Sequence, residues 1–304
     1  MDTPAYLLES QQPAKHHFAY LGIPHDAATT LANPGARFAP PALREFVRNF
    51  FAWRLRDGKL ADTDLGIKDL SAVEVADFGD VALSYHNTVK TVDESYQAVR
   101  QVIEARYVPL IVGGDHGISY PAIKALHDSS SGRIGLIQLD AHRDLADGNP
   151  RQGRFSGSSV MRRSLELERL AGKNFVQVGL RGYSTVEQYE ATINLGARLI
   201  TASQFSELGA KAAARQAVEW ASEGTQAIYL TVDMDVLTPG EAPGTGWPEP
   251  GGMTGQQLID FVRGVAPHCA AMDIAELNPI YDSPARATAM LGARLLLDFI
   301  IARV

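Results

Sequence analysis

The chain has 304 residues and a formal charge of −7, from 28 Lys and Arg against 35 Asp and Glu. A pI near 5.6 argues against a nucleic-acid partner, because domains that bind phosphate backbones usually have a pI above ~9. No apolar stretch approaches the ~18 residues needed to span a bilayer, and the first residues lack the features of a signal peptide, so we expect a cytoplasmic protein without a membrane partner. Cys269 is the single cysteine, which excludes an intrachain disulfide and a cysteine-based zinc site.

Short apolar runs alternate with amphipathic stretches, which is typical of strands and crossover helices in a mostly parallel sheet. We predict about eight strands, at residues 18–23, 73–78, 109–112, 134–139, 175–179, 198–201, 227–232 and 269–275. Helical spacing of apolar residues predicts helices at 91–106, 209–222, 254–265 and 283–302. Pro40 and Pro41 suit the first turn of a further helix. No repeat or long linker divides the chain, so we predict a single domain over residues 1–304.

Three of the predicted strands run directly into ionisable residues. The segments are GGDH at 113–116, DAHRD at 140–144 and DMD at 233–235. In a parallel α/β sheet the loops that follow the strands meet at one edge, where such folds bind ligands. Alternation along an extended chain would turn Asp140, His142 and Asp144 toward one point, and Asp233 and Asp235 toward another nearby.

Four carboxylates and two imidazoles brought together in this way need compensating positive charge, since burying an unpaired ion costs several kcal/mol. Six side-chain ligands are too many for one catalytic zinc, which takes about three, but suit two ions ~3.5 to 4 Å apart. An oxygen-rich set with two nitrogens favours Mn²⁺, although Ni²⁺, Co²⁺ or Zn²⁺ could also occupy it. We therefore predict two divalent metal ions, held by His116, Asp140, His142, Asp144, Asp233 and Asp235.

These motifs resemble those of the ureohydrolases, the family of arginase, agmatinase and formimidoylglutamase. GGDHGIS, LDAHRDL and TVDMDVLTPGEAPGTGWPEPGG resemble its three metal motifs, and IAELNPIYD at 274–282 resembles its closing motif. GIPHDAATTLANPGARFAPPALR at 22–44 and PGTG at 243–246 are closer to agmatinases than to arginases. The resemblance covers nearly the whole chain. It implies an arginase-like three-layer α/β/α sandwich, assembled as trimers or hexamers.

The resemblance also implies an activity, which is hydrolysis of a linear C–N bond in a guanidine or amidine. A hydroxide bridging the two metals would attack, and urea or its analogue would leave with an amine. Asp144 would orient that hydroxide, and Glu276 would hydrogen-bond the guanidinium nitrogens. The six ligands would divide with His116 and Asp144 on one ion, His142 and Asp235 on the other, and Asp140 and Asp233 bridging both.

Ser156 departs from the pattern of agmatinases and arginases, which usually have a histidine before the glycine of this loop. A hydroxyl does not titrate near pH 7, so Ser156 cannot inherit the proton-transfer role of an imidazole. Formimidoylglutamases also have a serine there, and their substrate is an anionic amino-acid derivative. A substrate carboxylate could be bound by an arginine fork, for which the candidates are Arg151, Arg154, Arg162 and Arg163. Alternatively, these arginines are simply exposed.

Two further residues are candidate substrate contacts. Asp147 would pair with a cationic substrate or with Arg143, and Ser156 would contact the substrate from the same loop. Trp247 would offer an aromatic wall to a planar cation or serve as a packing residue. We interpret the segment 238–252 as a lid or binding loop, because long loops in compact folds are commonly functional.

Several functions stay open beside an agmatinase-like activity. One is a formimidoylglutamase-like hydrolase, and another is a hydrolase of an unusual guanidine such as a biguanide or a guanidino acid. A third is a non-catalytic subunit that supports an active paralogue, which the missing histidine at Ser156 motivates. A deacetylase on the related fold would use one zinc, and the second histidine and paired aspartates argue against it.

Overall fold

The structure is a computed structural model that describes residues 16–27, 33–149 and 153–304. It contains ten strands in these residues: β1 (His16–Ile23), β2 (Lys59–Asp62), β3 (Gly66–Asp69), β4 (Val73–Asp80), β5 (Val108–Gly113), β6 (Ile134–Leu139), β7 (Phe175–Val178), β8 (Arg198–Ile200), β9 (Ala227–Asp233) and β10 (Cys269–Ala275). Eight of them form one sheet in the order β4-β1-β5-β10-β9-β6-β7-β8, and all its neighbouring pairs are parallel. The eight strands predicted from the sequence are confirmed, in a sheet that is wholly parallel.

The helices of the described residues are α1 (Ala39–Arg54), α2 (Thr88–Glu104), α3 (Ser119–Ser129), α4 (Val160–Ser164), α5 (Val186–Asn194), α6 (Ala202–Leu208), α7 (Ala210–Ser222), α8 (Gly255–Val265) and α9 (Ala287–Ile301). The predicted helices correspond to α2, α7, α8 and α9, and Pro40 and Pro41 lie in the first turn of α1. Thr254 caps α8 by accepting from the backbone N–H of Gln257, whose side chain accepts from the N–H of Thr254.

Two hydrophobic cores lie on opposite faces of the sheet. Strand residues alternate between them, so that Phe18 belongs to one core and Ala19 to the other. The Phe18 core contains side chains of α1, α6, α7, α8 and α9, and the Ala19 core contains side chains of α2, α3, α4 and α5. The chain therefore forms the three-layer α/β/α sandwich that the sequence predicted. Both faces of each central strand are covered, which explains why these strands are continuous apolar runs.

The antiparallel pair β2–β3 and the helices α3, α4, α5 and α6 were not predicted. The two hairpin strands have four residues each and are largely exposed, so they lack an apolar pattern. Asp62 of this hairpin forms ion pairs with Arg263 of α8 and Arg294 of α9, which anchor it to the helical layer. In the described part of the chain, no helix is both long and apolar enough to traverse a membrane.

Candidate active site

Four adjacent strands at the centre of the sheet, in the order β5-β10-β9-β6, carry the predicted site residues at their carboxyl ends. Because parallel strands end at the same edge, these loops meet there. His116 follows β5, Glu276 follows β10, and Asp140, His142 and Asp144 follow β6. Asp233 ends β9, and Asp235 lies in the turn that follows it. These side chains converge because turns follow the strands. We had predicted instead that an extended chain would bring alternate side chains to one side. Asp144 has a φ of 52° and Asp233 leads into a 3₁₀ turn.

The imidazole of His116 lies at the centre of a first ligand group. Its Nδ1 is 3.1 Å from an Oδ of Asp140, 2.9 Å from Asp144 and 3.2 Å from Asp233. All four side chains are buried, with Asp144 the most accessible at 8%. Three carboxylates around one nitrogen need a cation, either a proton on Nδ1 or a metal ion.

A second ligand group surrounds His142. Its Nδ1 is 2.8 Å from an Oδ of Asp235 and 3.6 Å from Asp140. Asp140 thus belongs to both groups. One potential ligand atom from each of His116, Asp140 and Asp233 lies within 4.8 Å of the others, and the same holds for Asp140, His142 and Asp235. This is the arrangement that a carboxylate bridging two ions requires.

The hydrogen bonds behind His116 test whether the cluster suits a metal. Nε2 is 2.9 Å from the Thr231 hydroxyl, which donates to Asp273 at 2.7 Å. Because the single hydroxyl proton of Thr231 goes to Asp273, Thr231 must accept from Nε2–H. In the neutral imidazole, Nδ1 then presents a lone pair to the carboxylates. Ionised carboxylates cannot donate a hydrogen bond to this lone pair, so it is free for a cation, which fits a metal ligand.

Asp140, which the two groups share, is held by neighbours that use both of its oxygens. The Gln138 amide donates to Oδ2 at 2.6 Å, and the backbone N–H of His142 donates to Oδ1 at 2.5 Å. Gln138 is itself fixed by Gln177, which donates to its amide oxygen at 2.7 Å. The orientation of this carboxylate is therefore set before any ligand binds. Sequence reasoning missed Gln138, Gln177 and Thr231, because an amide or hydroxyl in a buried strand carries no signal of its own.

The carboxylates also control the protonation of the imidazoles. Burial lowers the pKa of His142, but the adjacent Asp235 and Asp140 outweigh it and raise that pKa to about 12. Burial likewise opposes the charged form of His116, yet its three carboxylate neighbours raise the pKa well above the usual value. The cluster thus attracts positive charge strongly, which is the property a site for divalent cations needs.

Glu276 lies partly buried beside this cluster in a left-handed conformation, with a φ of 57°. Its carboxylate accepts from the backbone N–H of His116 at 2.9 Å, and its own N–H donates to the carbonyl of Gly114 at 2.8 Å. Burial, with a smaller contribution from Asp115, raises the pKa of Glu276 to about 8. A Cβ on Gly114 would lie 1.6 Å from the His25 carbonyl oxygen, so this close packing requires glycine. A non-glycine residue held at positive φ marks local strain of ~1 to 3 kcal/mol, which is often found at functional sites.

The ligand groups open into a cavity of about 380 Å³. Among the predicted substrate contacts, Glu276 and Trp247 line this cavity, and Trp247 is 45% exposed. Seven polar residues that were not predicted as substrate contacts complete much of the wall: Arg143, Ser158, Arg181, Tyr183, Ser184, Gln188 and Thr201. The part of the cavity wall that the ligand groups and Glu276 form is therefore acidic, and the other polar groups of the wall are neutral or basic.

Ser156 and Asp147 do not line the cavity. Ser156 is fully buried, and its hydroxyl contacts those of Ser158 at 3.2 Å and Ser159 at 2.9 Å. Asp147 is exposed and forms an ion pair with Arg163 at 2.8 Å, which lowers its pKa. This geometry does not support a substrate contact by either residue. Their loop conformation depends on tertiary contacts that the sequence does not reveal.

The arginines proposed for carboxylate binding lie elsewhere as well. Arg163 is buried and pairs with Asp147 and Glu166, and Arg154 is exposed and pairs with Glu166. Neither these two nor Arg162 lines the cavity, and Arg151 falls outside the described residues. Arg143 is the member of this arginine-rich segment that lines it.

Arg181 fixes the segment 238–252, which contributes Gly246 and Trp247 to the cavity wall. Its guanidinium donates to five main-chain carbonyls at 2.6 to 3.1 Å, those of Asp235, Val236, Leu237, Glu249 and Pro250. The predicted binding loop is thus attached by a partly buried cation to the turn that follows β9 and carries Asp235. Sequence reasoning missed Arg181 because its partners are backbone atoms.

Comparisons with known proteins agree with this geometry. The model of the arginase family matches residues 16–302. A human protein named guanidino acid hydrolase, mitochondrial, is 32% identical over 93% of this chain and 77% of its own length. A guanidinobutyrase from Pseudomonas aeruginosa is 32% identical over 93% of this chain and 85% of its own. The crystal structure of formimidoylglutamase from Bacillus subtilis superposes with a TM-score of 0.84 and 27% identity, covering 96% and 88% of the two chains.

The family model covers nearly all of the described residues, and the parallel sheet, the ligand groups and the motif positions point the same way. The chain belongs to the arginase family and is a hydrolase of carbon–nitrogen bonds.

Proposed function

We propose that this hydrolase cleaves a linear C–N bond of a guanidine or amidine at a two-metal centre, releasing urea or its analogue and an amine. The observation that carries the proposal is that two ligand groups sharing Asp140 open into the same cavity as Glu276. Relatives named guanidino acid hydrolase and guanidinobutyrase support a guanidino substrate.

Two divalent ions, when bound, would polarise the substrate and lower the pKa of water, which makes a nucleophile available near neutral pH. One ion would be held by His116 and Asp144 and the other by His142 and Asp235, with Asp140 and Asp233 shared. Mn²⁺ is favoured because four of the six donors are carboxylates, and Ni²⁺ is the second choice.

The side chains on the cavity wall would position the substrate. Glu276 would accept hydrogen bonds from guanidinium N–H groups, for which a charge-assisted contact to a carboxylate is strong. Asp144, at the cavity surface, would orient the attacking water by accepting one of its hydrogens. Trp247 would cover one face of the planar guanidinium.

A formimidoylglutamase-like activity is the second candidate. It is favoured by Ser156, which stands before Gly157 as in that branch, and by the likeness to the solved formimidoylglutamase. The two candidates differ in their products, since a formimino substrate would release formamide and a guanidino substrate would release urea.

We also propose that residues 1–304 form one catalytic domain in a homo-oligomer, a trimer or hexamer, in the cytoplasm. One sheet with strands from His16 to Ala275 supports the single domain. The assembly, with or without a paralogous subunit, rests on the family resemblance. The single cysteine supports a reducing compartment, whereas the mitochondrial names of relatives favour another location. Light scattering and cell fractionation test these points.

The decisive experiment is a turnover assay of purified protein that has been stripped of metal and reloaded with Mn²⁺, Ni²⁺, Co²⁺ or Zn²⁺. The substrates are agmatine, arginine, 4-guanidinobutyrate, guanidine, a biguanide and formimidoylglutamate, with urea, formamide and amine as readouts. We expect turnover of at least one compound, and a loss of roughly 1,000-fold or more in Asp140→Ala and His142→Ala, since metal-ion stabilisation is worth several kcal/mol. Arg154→Gln, outside the cavity, is the matched control.

Two results would contradict the proposal. One is the absence of turnover with every metal and substrate, which would favour the non-catalytic subunit. The other is undiminished turnover in the metal-stripped protein or in the two ligand variants.

A further inference from the structure

We infer that Arg143 selects substrates that carry a carboxylate at the end remote from the reacting group. This inference rests on the proposed function and narrows its substrate class. Arg143 directly follows the ligand His142 and lines the same cavity. It would act as a specificity-determining residue by binding the substrate carboxylate through its guanidinium.

The hydrogen bonds of Arg143 hold its guanidinium in place without neutralising it. Nε is 3.1 Å from the Ser184 hydroxyl and Nη1 is 2.9 Å from the Thr192 hydroxyl. The guanidinium carbon lies 5.1 Å from the centre of the Tyr189 ring. No carboxylate of residues 16–27, 33–149 or 153–304 lies within ion-pair distance of Arg143, and Nη2 has no hydrogen-bond acceptor there.

The other arginines near this site are engaged differently. Arg181 also lines the cavity, but its guanidinium is directed at main-chain carbonyls. Arg163 is paired with Asp147 and Glu166, outside the cavity wall. Arg143 is therefore the cavity arginine that still has donor capacity for a ligand, according to the contacts of the described residues. A partly buried cation gains most from a counter-ion that arrives with the ligand.

The strand order separates Arg143 from Glu276 along the edge of the sheet that carries the ligands. Glu276 follows β10, whereas Arg143 extends from the end of β6 to Ser184 in the loop after β7. β10 and β7 are three strand spacings apart, which is about 14 Å. A substrate bound by Glu276 at its guanidinium can therefore reach Arg143 through a chain of several methylene groups.

The charge of Arg143 discriminates between substrates of similar length. The distal ammonium of agmatine would approach a like charge, which is unfavourable, whereas a distal carboxylate would form a fork with Nη2 and a neighbouring N–H. ω-Guanidino acids and formimino amino acids share this carboxylate. Their different products, urea and formamide, distinguish them in the assay.

A purely structural role would be to clamp the loop after β6 to α5, through Thr192 and Tyr189. If this were its only role, substitution of Arg143 would weaken the binding of charged and uncharged substrates equally and would lower the stability of the fold. The test therefore needs a pair of substrates that differ only in the carboxylate.

The experiment compares the metal-loaded wild type with Arg143→Gln and Arg143→Lys. The substrates are ω-guanidino acids with two to four methylene groups, the corresponding uncharged amides, agmatine and formimidoylglutamate. In Arg143→Gln we expect KM to rise about 10- to 100-fold for the acids, the range for a hydrogen bond to a charged group, and to change little for the amides. kcat should change little, and Arg143→Lys should restore part of the affinity.

Three further measurements complete the design. Metal content establishes that substitution beside His142 leaves both ions bound, and calorimetric binding of 4-aminobutyrate reports the carboxylate contact without turnover. Arg154→Gln, an exposed arginine of the same segment, controls for the loss of one positive charge. We expect 4-aminobutyrate to bind the wild type and Arg154→Gln and to bind Arg143→Gln at least 10-fold more weakly.

Equal KM changes for acids and amides, or equal binding of 4-aminobutyrate by wild type and Arg143→Gln, would overturn the inference. Turnover of guanidines without preference for a carboxylate would also overturn it while leaving the proposed function intact. Absence of all turnover would instead refute the proposed function. The calorimetric titration with 4-aminobutyrate would still decide whether Arg143 binds a carboxylate.

Discussion

Thr231 orients the imidazole of His116, although its own hydroxyl is not one of the predicted metal ligands. It stands on β9, fully buried, between the imidazole of His116 and the carboxylate of Asp273. Its proton is donated to Asp273, so its lone pair faces Nε2–H of His116. The contact at Nε2 therefore determines the tautomer and the ring orientation of His116.

We predict that Thr231→Val, which keeps the shape and removes the hydroxyl, weakens metal binding by about 10- to 100-fold. The reason is that Nε2–H loses its acceptor and the imidazole loses its fixed orientation. Competition with a chromogenic chelator measures the change. Tyr229→Phe is the control, because Tyr229 also donates to Asp273, at 2.7 Å, but does not touch His116. Equal affinity of Thr231→Val and wild type would show that the hydroxyl does not tune the ligand.

At the scale of single residues, the sequence predicted the acids and histidines that the structure groups, because so many ionisable side chains at the ends of buried strands are stable only with a cation between them. It did not distinguish Arg143 from Arg154 or Arg163, since all three lie in one segment and only the path of the loop separates them. Ser156 was predicted as a substrate contact from its position next to Gly157 in the sequence. Its burial depends instead on how the loop packs.

The hairpin β2–β3 is attached to the helical layer by a network of ion pairs centred on the buried Asp298. Asp298 of α9 is fully buried and accepts from Arg263 at 2.8 Å and from Arg294 at 2.7 Å. Both arginines also reach Asp62 of the hairpin, at 2.7 and 2.9 Å. Arg263 also lies 3.5 Å from Asp64 in the turn of the hairpin. Three acids thus surround two bases.

We predict that Asp298→Ala lowers the free energy of unfolding by about 3 kcal/mol, because it removes the fully buried acid and leaves the two arginines with Asp62 and the exposed Asp64. Urea unfolding followed by circular dichroism measures this. Arg286→Gln removes an exposed pair with Glu45 and should cost less than ~1 kcal/mol. Similar midpoints for the two variants would refute the idea that burial makes this network important.

At the scale of elements, the eight sheet strands could be predicted because burial on both faces requires continuous apolar sequences, such as IGLIQL in β6 and CAAMDIA in β10. The hairpin could not, since KLAD and GIKD lie at the surface and depend on the ion network for their position. α5 was missed because VEQYEATIN buries little more than Ala191 and Thr192. Elements that bury few side chains have only weak apolar patterns in their sequences.

The whole molecule combines a net negative charge with a concentrated acidic centre. The acids of the ligand groups are fixed by the backbone and by Gln138, so they cannot move apart freely to relieve repulsion. A cation bound there should therefore stabilise the entire fold, since the ligands come from β5, β6 and β9 together.

We predict that removing divalent metal with a chelator lowers Tm and that added Mn²⁺ restores it in a concentration-dependent way. Free metal at 100 to 1,000 times its Kd should contribute about 3 to 4 kcal/mol. Differential scanning fluorimetry over a series of Mn²⁺ concentrations follows the change. Asp140→Ala should respond much less, and Arg154→Gln should respond like wild type. A Tm that is the same with and without metal would contradict this account.

The contact at Gly114 has a consequence for how the protein can evolve. Its main chain lies against His25 and accepts from Glu276, so any side chain larger than hydrogen would force β1 and the closing motif away from the loop that carries His116. In a mutational scan scored by activity, position 114 should be as intolerant as the ligands, although it offers the reaction no functional group. Sequence drift in this lineage would then be limited there by backbone proximity alone.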